Sequence, residues 1–532
     1  MMRARLDPIA LAVLHHRLAA IAEEMGVRLG QSAFSPNIKE RHDYSCALFD
    51  ARGGLVAQAA HIPVHLGSTP LSVRAAIAAH RLLPGDVVVV NDPFAGGTHL
   101  PDLTLVAPVH DRSRRLLGFV ANRAHHADMG GMTPGSMPLA REIHQEGFRL
   151  PPVRLVRAGT LDSDVLALFL ANTRVPDERC GDLEAQRAAL AVGVERLVEL
   201  AEDLGALRLA RGMEALQRYS ERLTAASLRA LPSGVYRAVD FLDDDGIRVG
   251  PIPLRVAIRL SGGRARIDFS GSAPQVEGSL NANYAVTLSA AMYVFLALAP
   301  EPIPANDGVM RRLEVHAPAG SVVNARFPAA VAGGNVETSQ RIVDVMLRAL
   351  AAAAPDRIPA ASCGSMNNLA LGGFDRSRAR SFSYYETVAG GAGGGPLGAG
   401  AAGIHTHMTN TLNTPIEALE AYYPVRVTSY RVRRGSGGDG RHRGGDGLVR
   451  ELTILCPAEA TLLTERRRSS PWGLAGGGSG KRGRNLLVHK GRVRALPGKV
   501  NLRIEVGDTI RLETPGGGGF GKRASRRRRP LP

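Results

Sequence analysis

The pattern of hydrophobic and polar positions changes its period along the chain and predicts both helices and sheets. After Pro8, a residue that suits a first helical turn, apolar residues recur at helical spacing. Residues 184–207 carry leucines and valine at the same spacing. From Val235 the period becomes two, which is typical of antiparallel strands joined by Gly-rich turns. The sequence therefore predicts a mixed, multi-domain α+β fold.

The same changes divide the chain into five predicted regions. They are an N-terminal, hairpin-rich metal-site region (1–135), a helical segment (136–232), a mixed α/β region (233–424), a β-rich C-terminal region (425–521) and a disordered basic tail (522–532). The tail is expected to be dispensable, because exposed charged termini are usually solvated and frayed.

Two β-hairpins are predicted in the first region. One pairs residues 44–49 with 55–59, and the other pairs residues 103–109 with 116–120, because each pair consists of β-forming runs around a polar turn. Paired positions are expected to sum to about 104 in the first hairpin and about 225 in the second. These registers determine which side chains meet at the open end of each hairpin.

The open end of the second hairpin gathers imidazoles and a carboxylate. Its register places His99 opposite His126 and Asp102 opposite Arg123, with His125 one position away. Such a set suits a divalent metal that keeps an open position for water. A lone His-x-x-Asp pair is more often ordinary surface chemistry, but here glycines and prolines flank it and let the backbone approach a bound group.

The open end of the first hairpin carries similar groups. Asp43 is expected to face His61, and Glu40 lies shortly before Asp43. A metal site shared by the two hairpins is one interpretation, and ordinary polar decoration of a hairpin is the other. His61 is expected to orient a ligand from the second layer of the site.

The charge and the cysteines exclude several classes of protein. Residues 431–532 contain 24 Lys and Arg against 8 Asp and Glu, so this part holds +16 of the formal net charge of +17. The basic end lacks the interleaved aromatic residues that would indicate nucleic-acid binding. No apolar run of about 18 residues predicts a membrane span. The four scattered cysteines form no C-x-x-C pair, and together these features predict a cytoplasmic protein.

Two Gly-rich stretches match nucleotide-binding loops only in part. Residues 475–482 read AGGGSGKR, with Ala in place of the first glycine of a P-loop and Arg in place of its Ser or Thr. Residues 516–521 fit G-x-G-x-x-G, but a basic tail follows them instead of a helix. The sequence therefore contains no complete ATP site.

Long stretches of the chain resemble the hydantoinase B / 5-oxoprolinase family. They include SPNIKERHDYSCALFD, GDVVVVNDPFAGGTHLPDLTLVAPV, NRAHHADMGGMTPGSMP, GGNVETSQRIVDV and HTHMTNTLNTPIEALE, and the resemblance extends from about residue 7 to residue 521. Members include N-methylhydantoinase, 5-oxoprolinase, caprolactamase and acetone carboxylase. The resemblance implies a B-type subunit with a metal site, acting in a hetero-oligomer with an A-type subunit that binds ATP.

The resemblance also implies site residues. The HLPD motif supplies two metal ligands, and the HHAD and KERHD motifs each leave a choice between two residues. The assigned ligands of a zinc, manganese or iron ion are Asp43, His99, Asp102 and His125, and the assigned catalytic residues are Glu40, Asp43 and His126.

The implied reaction is hydrolysis of a small cyclic amide that ATP activates by phosphorylation, with a metal-bound water as the nucleophile. A carboxylate or imidazole would take the proton of the water. Gly-rich loops near residues 96, 333 and 390 are candidates to hold the phosphoryl oxygens through backbone N–H groups. The alternatives are an acetone-carboxylase-like subunit and a non-catalytic scaffold for the A-type subunit.

Overall fold

The computed structural model describes residues 7–59 and 61–523 and confirms the predicted α+β class. Its helices are α1 (Pro8–Ser32), α2 (Pro36–Lys39), α3 (Ser68–Ala79), α4 (Ile143–Glu146), α5 (Ser163–Ala171), α6 (Pro176–Leu204), α7 (Ala206–Arg229), α8 (Tyr284–Ala297), α9 (Asp307–Met310), α10 (Ser339–Leu350) and α11 (Ile416–Tyr422). Its strands are β1 (Tyr44–Asp50), β2 (Leu55–Gln58), β3 (Val87–Val90), β4 (Asp102–His110), β5 (Leu116–His125), β6 (Val153–Arg157), β7 (Thr160–Leu161), β8 (Gly234–Asp244), β9 (Val249–Ser261), β10 (Arg264–Asp268), β11 (Leu313–His316), β12 (Asn368–Asp375), β13 (Arg380–Thr387), β14 (Val425–Arg433), β15 (Gly447–Ile454), β16 (Ala458–Leu463), β17 (Arg484–His489), β18 (Arg492–Leu496), β19 (Lys499–Ile504) and β20 (Thr509–Glu513). Short 3-10 helices cover Pro63–His65, Pro93–Ala95 and Pro134–Ser136, and a π-helix covers Gly334–Thr338. From position 524 onward, the predicted basic tail lies outside the described residues.

Within the described residues the strands form four sheets. The first has the strand order β2-β1-β5-β4-β3-β6-β7, with every neighbouring pair antiparallel. The other three have the orders β11-β10-β9-β8, β13-β12-β16-β19 and β14-β15-β20-β17-β18. No helix among the described residues has the length and apolar character needed to cross a membrane.

The first sheet is buried on both faces, because alternate residues of a strand point to opposite sides. Leu48 and Val120 belong to the cluster that includes α1 and α6. Phe49 and Phe119 belong to a smaller cluster with Val73 of α3. Each fully buried side chain of this size stabilises the fold by roughly 1.5–3 kcal/mol. The two hairpins that carry the predicted ligands are thus anchored in the core.

The predicted helical segment, residues 136–232, is helical only in its later part. Helices α5, α6 and α7 lie there, whereas Val153–Arg157 and Thr160–Leu161 extend the first sheet beyond β3. Pro151 and Pro152 exclude a helix before β6, because proline lacks an N–H donor and clashes with the preceding helical turn. The prediction of helix was therefore wrong for this stretch.

Helix α10 is buried nearly throughout and packs against α8, β8 and β9. Its apolar residues Ile342 and Met346 belong to the largest hydrophobic cluster, as does Ile258 of β9. It also carries a buried ion pair, in which Nη1 of Arg341 donates to Oδ2 of Asp344 at 2.9 Å. The pair meets the condition for burying charge, which is that each charge finds a partner.

Gly-rich segments pack directly against one another in the C-terminal part of the chain. They are residues 390–403, 436–447, 473–480 and 516–521. A Cβ atom at Gly391 would lie 1.9 Å from the carbonyl oxygen of Gly445, and one at Gly517 would lie 2.0 Å from that of Ala392. Glycine is required there because any side chain would collide with a neighbouring backbone.

Glu146 of α4 is a fully buried carboxyl group. Its Oε1 accepts hydrogen bonds from the backbone N–H groups of Val331 and Ala332 at 2.8 Å each. Its Oε2 has no hydrogen-bond partner in the described part of the chain. Burial raises the pKa of Glu146 to about 8 from its ordinary value of 4.5, although the two hydrogen bonds oppose this rise.

We expect Glu146→Gln to stabilise the protein at alkaline pH. Because its folded-state pKa is raised, the folded protein holds more protons than the unfolded one between pH 4.5 and about pH 8, so wild-type stability falls as pH rises through this window. Glutamine keeps the accepting oxygen and cannot ionise. One pKa unit corresponds to roughly 1.4 kcal/mol, and with partial relaxation of the site the relative gain should be on the order of 2 kcal/mol above this window.

Urea unfolding of wild type and variant below and above this pH window measures the effect. Glu142→Gln is the matched control, because Glu142 is exposed and lies four residues before Glu146. The pH dependence of its stability should follow that of the wild type. An identical pH dependence of the wild type and Glu146→Gln would contradict the assignment.

Candidate metal centre

Three buried side chains converge at the open end of the second hairpin. His99 lies just before β4, Asp102 is the first residue of β4, and His125 is the last residue of β5. One ligand atom of each lies within 4.8 Å of the others. Oδ1 of Asp102 is 3.2 Å from Nε2 of His99 and 3.3 Å from Nδ1 of His125.

The register of this hairpin differs from the predicted one by two residues. Asp102 pairs with His125, and Thr104 pairs with Arg123. A bulge beside His110 and the longer connection over residues 111–115 cause the difference. A shift of two positions keeps every side chain on its predicted face. It brings an imidazole next to Asp102 in place of a guanidinium.

The first hairpin also departs from its predicted register. Phe49 pairs with Leu55 as predicted, but a bulge after Leu48 shifts the pairing by one residue. His61 therefore does not face Asp43. Its Nδ1 instead accepts a hydrogen bond from the backbone N–H of Cys46 at 3.2 Å.

The loop before β4 is held by side chains that bond to its backbone. Asn91 donates to the carbonyl oxygen of Leu100 at 2.8 Å, and Asn283 donates to that of Thr98 at 2.7 Å. Gly96 has a φ of 89°, and a Cβ there would lie 2.5 Å from the backbone of Leu71 in α3. These contacts give His99 a defined position beside Asp102.

The surroundings keep Asp102 ionised and His125 neutral. Burial alone would raise the pKa of Asp102, but the electrostatic effect of His99, together with the imidazoles of His125 and His65, holds it well below its ordinary value. Burial lowers the pKa of His125, although Asp102 and Asp43 oppose that shift. A carboxylate and a neutral imidazole are the forms in which these residues bind metal.

Ring nitrogens without hydrogen-bond partners also indicate a metal site. Nδ1 and Nε2 of His99 and Nε2 of His125 are buried and have no hydrogen-bond partner among the described residues. Buried polar atoms normally have a partner, so unpaired imidazole nitrogens beside a carboxylate call for a ligand. His99, Asp102 and His125 could therefore hold a divalent metal, and their mixed nitrogen and oxygen donors fit it.

His65, in the 3-10 helix Pro63–His65, adds a residue that the sequence prediction missed. Its Nε2 lies 3.4 Å from Oδ2 of Asp102, and its Nδ1 lies 2.8 Å from Oγ of Ser45. Thr98 also hydrogen-bonds to that carboxylate oxygen. The signal was present in HIPVHLGS, where a second histidine follows His61 by four residues.

Asp43 lies next to the group without belonging to it. Its side chain is buried, and its backbone carbonyl accepts a hydrogen bond from the N–H of His125 at 3.0 Å. Its charge is close enough to act on the pKa of His125. The atoms that meet within 4.8 Å nevertheless come from His99, Asp102 and His125.

The structure places His126 on the opposite face of the strand from this group. His126 follows His125 and therefore points to the other face, where its Nε2 lies 2.9 Å from Oε1 of Gln186 in α6. Burial lowers the pKa of His126 to about 4. Glu40 is partly buried at the end of α2, outside the three-residue group.

A chain of contacts leads from His125 into the C-terminal part of the protein. The ring of Tyr385 stacks on His125 with the centroids 4.6 Å apart and an interplanar angle of 17°. Its hydroxyl donates to Oδ1 of Asn368 at 2.7 Å, and Nδ2 of Asn368 donates to Oε1 of Glu337 at 2.7 Å. Burial raises the pKa of Glu337, which lies in the π-helix, to about 8. Sequence reasoning missed these residues, because only the tertiary fold brings them together.

The Gly-rich loop over residues 390–403 does not cradle an anion. The backbone N–H groups of Gly391, Gly394 and Gly400 donate to the carbonyl oxygens of Pro515, Gly518 and Arg443. A donor already bonded to the protein is not free for a phosphoryl oxygen. The predicted role of this loop is therefore wrong, and its glycines serve close packing.

Comparison with known proteins gives a consistent relationship. The family model described as Hydantoinase B/oxoprolinase matches residues 7–523. An uncharacterized protein of Methanocaldococcus jannaschii is 40% identical, over 97% of this chain and 91% of its own length. 5-Oxoprolinase 1 of Arabidopsis thaliana is also 40% identical over 97% of this chain, which spans 42% of that protein.

Two solved structures share the fold. The ATP-dependent caprolactamase from Pseudomonas jessenii has a TM-score of 0.91 at 30% identity, covering 97% of this chain and 91% of that one. The nucleotide-free structure of acetone carboxylase has a TM-score of 0.89 at 20% identity, covering 97% and 76%, and shows likeness of fold alone. Matched over nearly its whole length, the chain belongs to the hydantoinase B/oxoprolinase family.

Proposed function

We propose that this chain is the B-type component of an ATP-dependent enzyme that hydrolyses a cyclic amide. The observation that carries the proposal is the buried group of His99, Asp102 and His125, whose imidazole nitrogens lack hydrogen-bond partners in the described structure. Its nitrogen and oxygen donors suit zinc, manganese or iron. Membership of the hydantoinase B/oxoprolinase family supports a role of this group in amide hydrolysis.

We further propose that ATP binds to a separate A-type subunit in a hetero-oligomer. The 5-oxoprolinase of Arabidopsis thaliana is more than twice as long as the part this chain covers, which leaves room there for an ATP-binding half. Neither Gly-rich stretch of this chain completes a nucleotide-binding loop. Phosphorylation of the amide oxygen would make phosphate a leaving group and the carbon electrophilic.

Contacts with Asp102 fix the orientation of the two imidazole rings in the centre. One oxygen of Asp102 contacts both His99 and His125, while Thr98 and His65 contact the other. Both imidazoles therefore keep a single orientation. A divalent metal held there would supply a Lewis acid and lower the pKa of a bound water toward ~7. Outer contacts of this kind typically affect activity or metal affinity by about 10–100-fold.

We assign Asp43 as the fourth ligand and Glu40 as the acceptor of the proton. Support for Asp43 is its burial beside His125, with which it shares a backbone hydrogen bond. Glu40 is the partly buried carboxylate nearest to Asp43 along the chain. His126 is not assigned to proton transfer, because it bonds to Gln186 on the opposite face.

Adjacent histidines provide a matched test of the metal centre. His125→Ala should lose the bound metal and lower activity by more than about 100-fold, because loss of a ligand should exceed the effect of losing an outer partner. His126→Ala, the control one residue away, should keep its metal. Elemental analysis of the purified variants gives the metal content, and circular dichroism verifies folding. Full metal occupancy in folded His125→Ala would place the centre elsewhere.

Dependence on a partner is the second test. Alone, the purified chain should release no phosphate from ATP and should leave hydantoin and 5-oxoproline intact, because it has no complete ATP site. Addition of an A-type subunit should restore both reactions together. Phosphate release and substrate loss are measured in the same sample. ATP turnover by the isolated chain would refute this division of labour.

A further inference from the structure

A second concave site lies on the loop between β16 and β17 and shares no residue with the candidate metal centre. The cavity has a volume of about 520 Å³. The lining residues with polar side chains are Arg467, Lys481, Arg482, Arg484, Ser470 and Ser479, and we call the cavity the basic pocket. None of its lining residues, all within the described chain, is acidic.

Two of the four positive charges of the basic pocket, those of Lys481 and Arg482, have no carboxylate partner among the described residues. Lys481 has no side-chain hydrogen bond or ion pair to any other described residue, and Arg482 donates to the carbonyl oxygen of Arg468 at 2.9 Å. Nη1 of Arg484 lies 3.7 Å from a carboxylate oxygen of Glu513. Like charges gathered around one cavity repel one another, and a bound anion relieves that repulsion.

Arg467 forms the fixed inner wall of the pocket. Its Nη1 donates to Oδ1 of Asn367 and to the carbonyl oxygen of Glu465, both at 2.7 Å, and its Nη2 donates to Oδ1 of Asn485 at 2.8 Å. A Cβ at Gly483 would lie 2.8 Å from Cζ of Arg467, so glycine leaves room for the guanidinium. Burial lowers the pKa of Arg467 to about 10, which reflects the cost of keeping this charge away from water.

The loop that carries these residues is rigidly anchored. The carboxylate of Asp243 accepts hydrogen bonds from the backbone N–H groups of Arg467, Arg468 and Ser469 at 2.6–3.0 Å. The N–H of Lys481 donates to the carbonyl oxygen of Ser436 at 2.7 Å. The backbone therefore does not act as a P-loop, and side chains are left to bind a ligand.

We propose that the basic pocket binds a small phosphate-bearing anion, of which inorganic pyrophosphate is the simplest probe. Guanidinium groups match phosphate oxygens through paired hydrogen bonds, and lysine and serine add further donors. The volume is within the range of small-ligand sites. The lining has no aromatic residue on which the bases of a nucleic acid could stack. The proposal is independent of amide hydrolysis, because it uses none of the residues of the metal centre.

Trp472 offers a direct readout, because it is the single tryptophan of the chain and lies between Ser470 and Ser479 in the loop. Pyrophosphate is titrated into the full chain while Trp472 fluorescence is recorded, and calorimetry gives an independent affinity. The variant is Lys481→Gln with Arg482→Gln. Its control is Arg492→Gln with Arg494→Gln, which removes the same charge from exposed positions of β18 outside the pocket.

Saturable binding is expected for the wild type. The pocket variant should bind at least about tenfold more weakly, since each lost charge-assisted hydrogen bond has an effect of that order. The control should bind like the wild type, and His125→Ala should also retain binding, which separates this site from the metal centre. Absence of saturable binding, or equal weakening in both charge variants, would overturn the proposal. Tighter binding of a single-stranded oligonucleotide than of pyrophosphate would overturn it as well.

Discussion

The pairing of Asp102 with His125 across the β4–β5 hairpin is the constraint on which the candidate metal centre depends. Asp102 is 1% exposed, and a carboxylate so deeply buried is stable only when hydrogen bonds and nearby positive charge replace its hydration. Thr98, His65 and the two imidazoles provide those contacts. The same arrangement leaves imidazole nitrogens unpaired in the described structure, and each such group costs roughly 1–3 kcal/mol. A bound cation would offset this local cost.

The centre also depends on parts of the chain that are distant in sequence. Tyr385 of β13 stacks on His125, and Cζ of Arg41 lies 5.2 Å from the centroid of the Tyr385 ring. Asn368 then connects Tyr385 to Glu337 in the π-helix before α10. A π-helix is rare and often marks a functional position, because it inserts a residue at the expense of regular bonding. The first sheet is thus linked through Tyr385 and Asn368 of the third sheet to the π-helix that precedes α10.

Local sequence patterns predicted most helices and strands of this fold. Several residues of the site could not be predicted, because contacts between distant parts of the chain bring them together. Helical spacing identified α1 and α6, and the change to period two identified β8, β9 and β10. The hairpin of His99 and Asp102 was also predicted, but bulges do not appear in the hydrophobic pattern, so its register was displaced by two residues. His65 and Tyr385 were missed because the tertiary fold brings them to the centre. Adjacent residues of a strand point to opposite faces, so only one of His125 and His126 can face the centre. The sequence cannot decide which one until the end of β5 is known.

Glycine and positive charge have different roles in this chain, although both suggest anion binding in a sequence. The Gly-rich segments use their backbone donors on one another, as the bonds from Gly391 to Pro515 and from Gly394 to Gly518 illustrate. A donor committed to the protein is lost to a ligand, so glycine content alone does not make a phosphate site. The side chains of Lys481 and Arg482 lie on the same scaffold, and both belong to residues that line the basic pocket and have no carboxylate partner among the described residues. These side chains are therefore the groups that can bind an anion. The glycines supply the close backbone packing that holds the side chains in place.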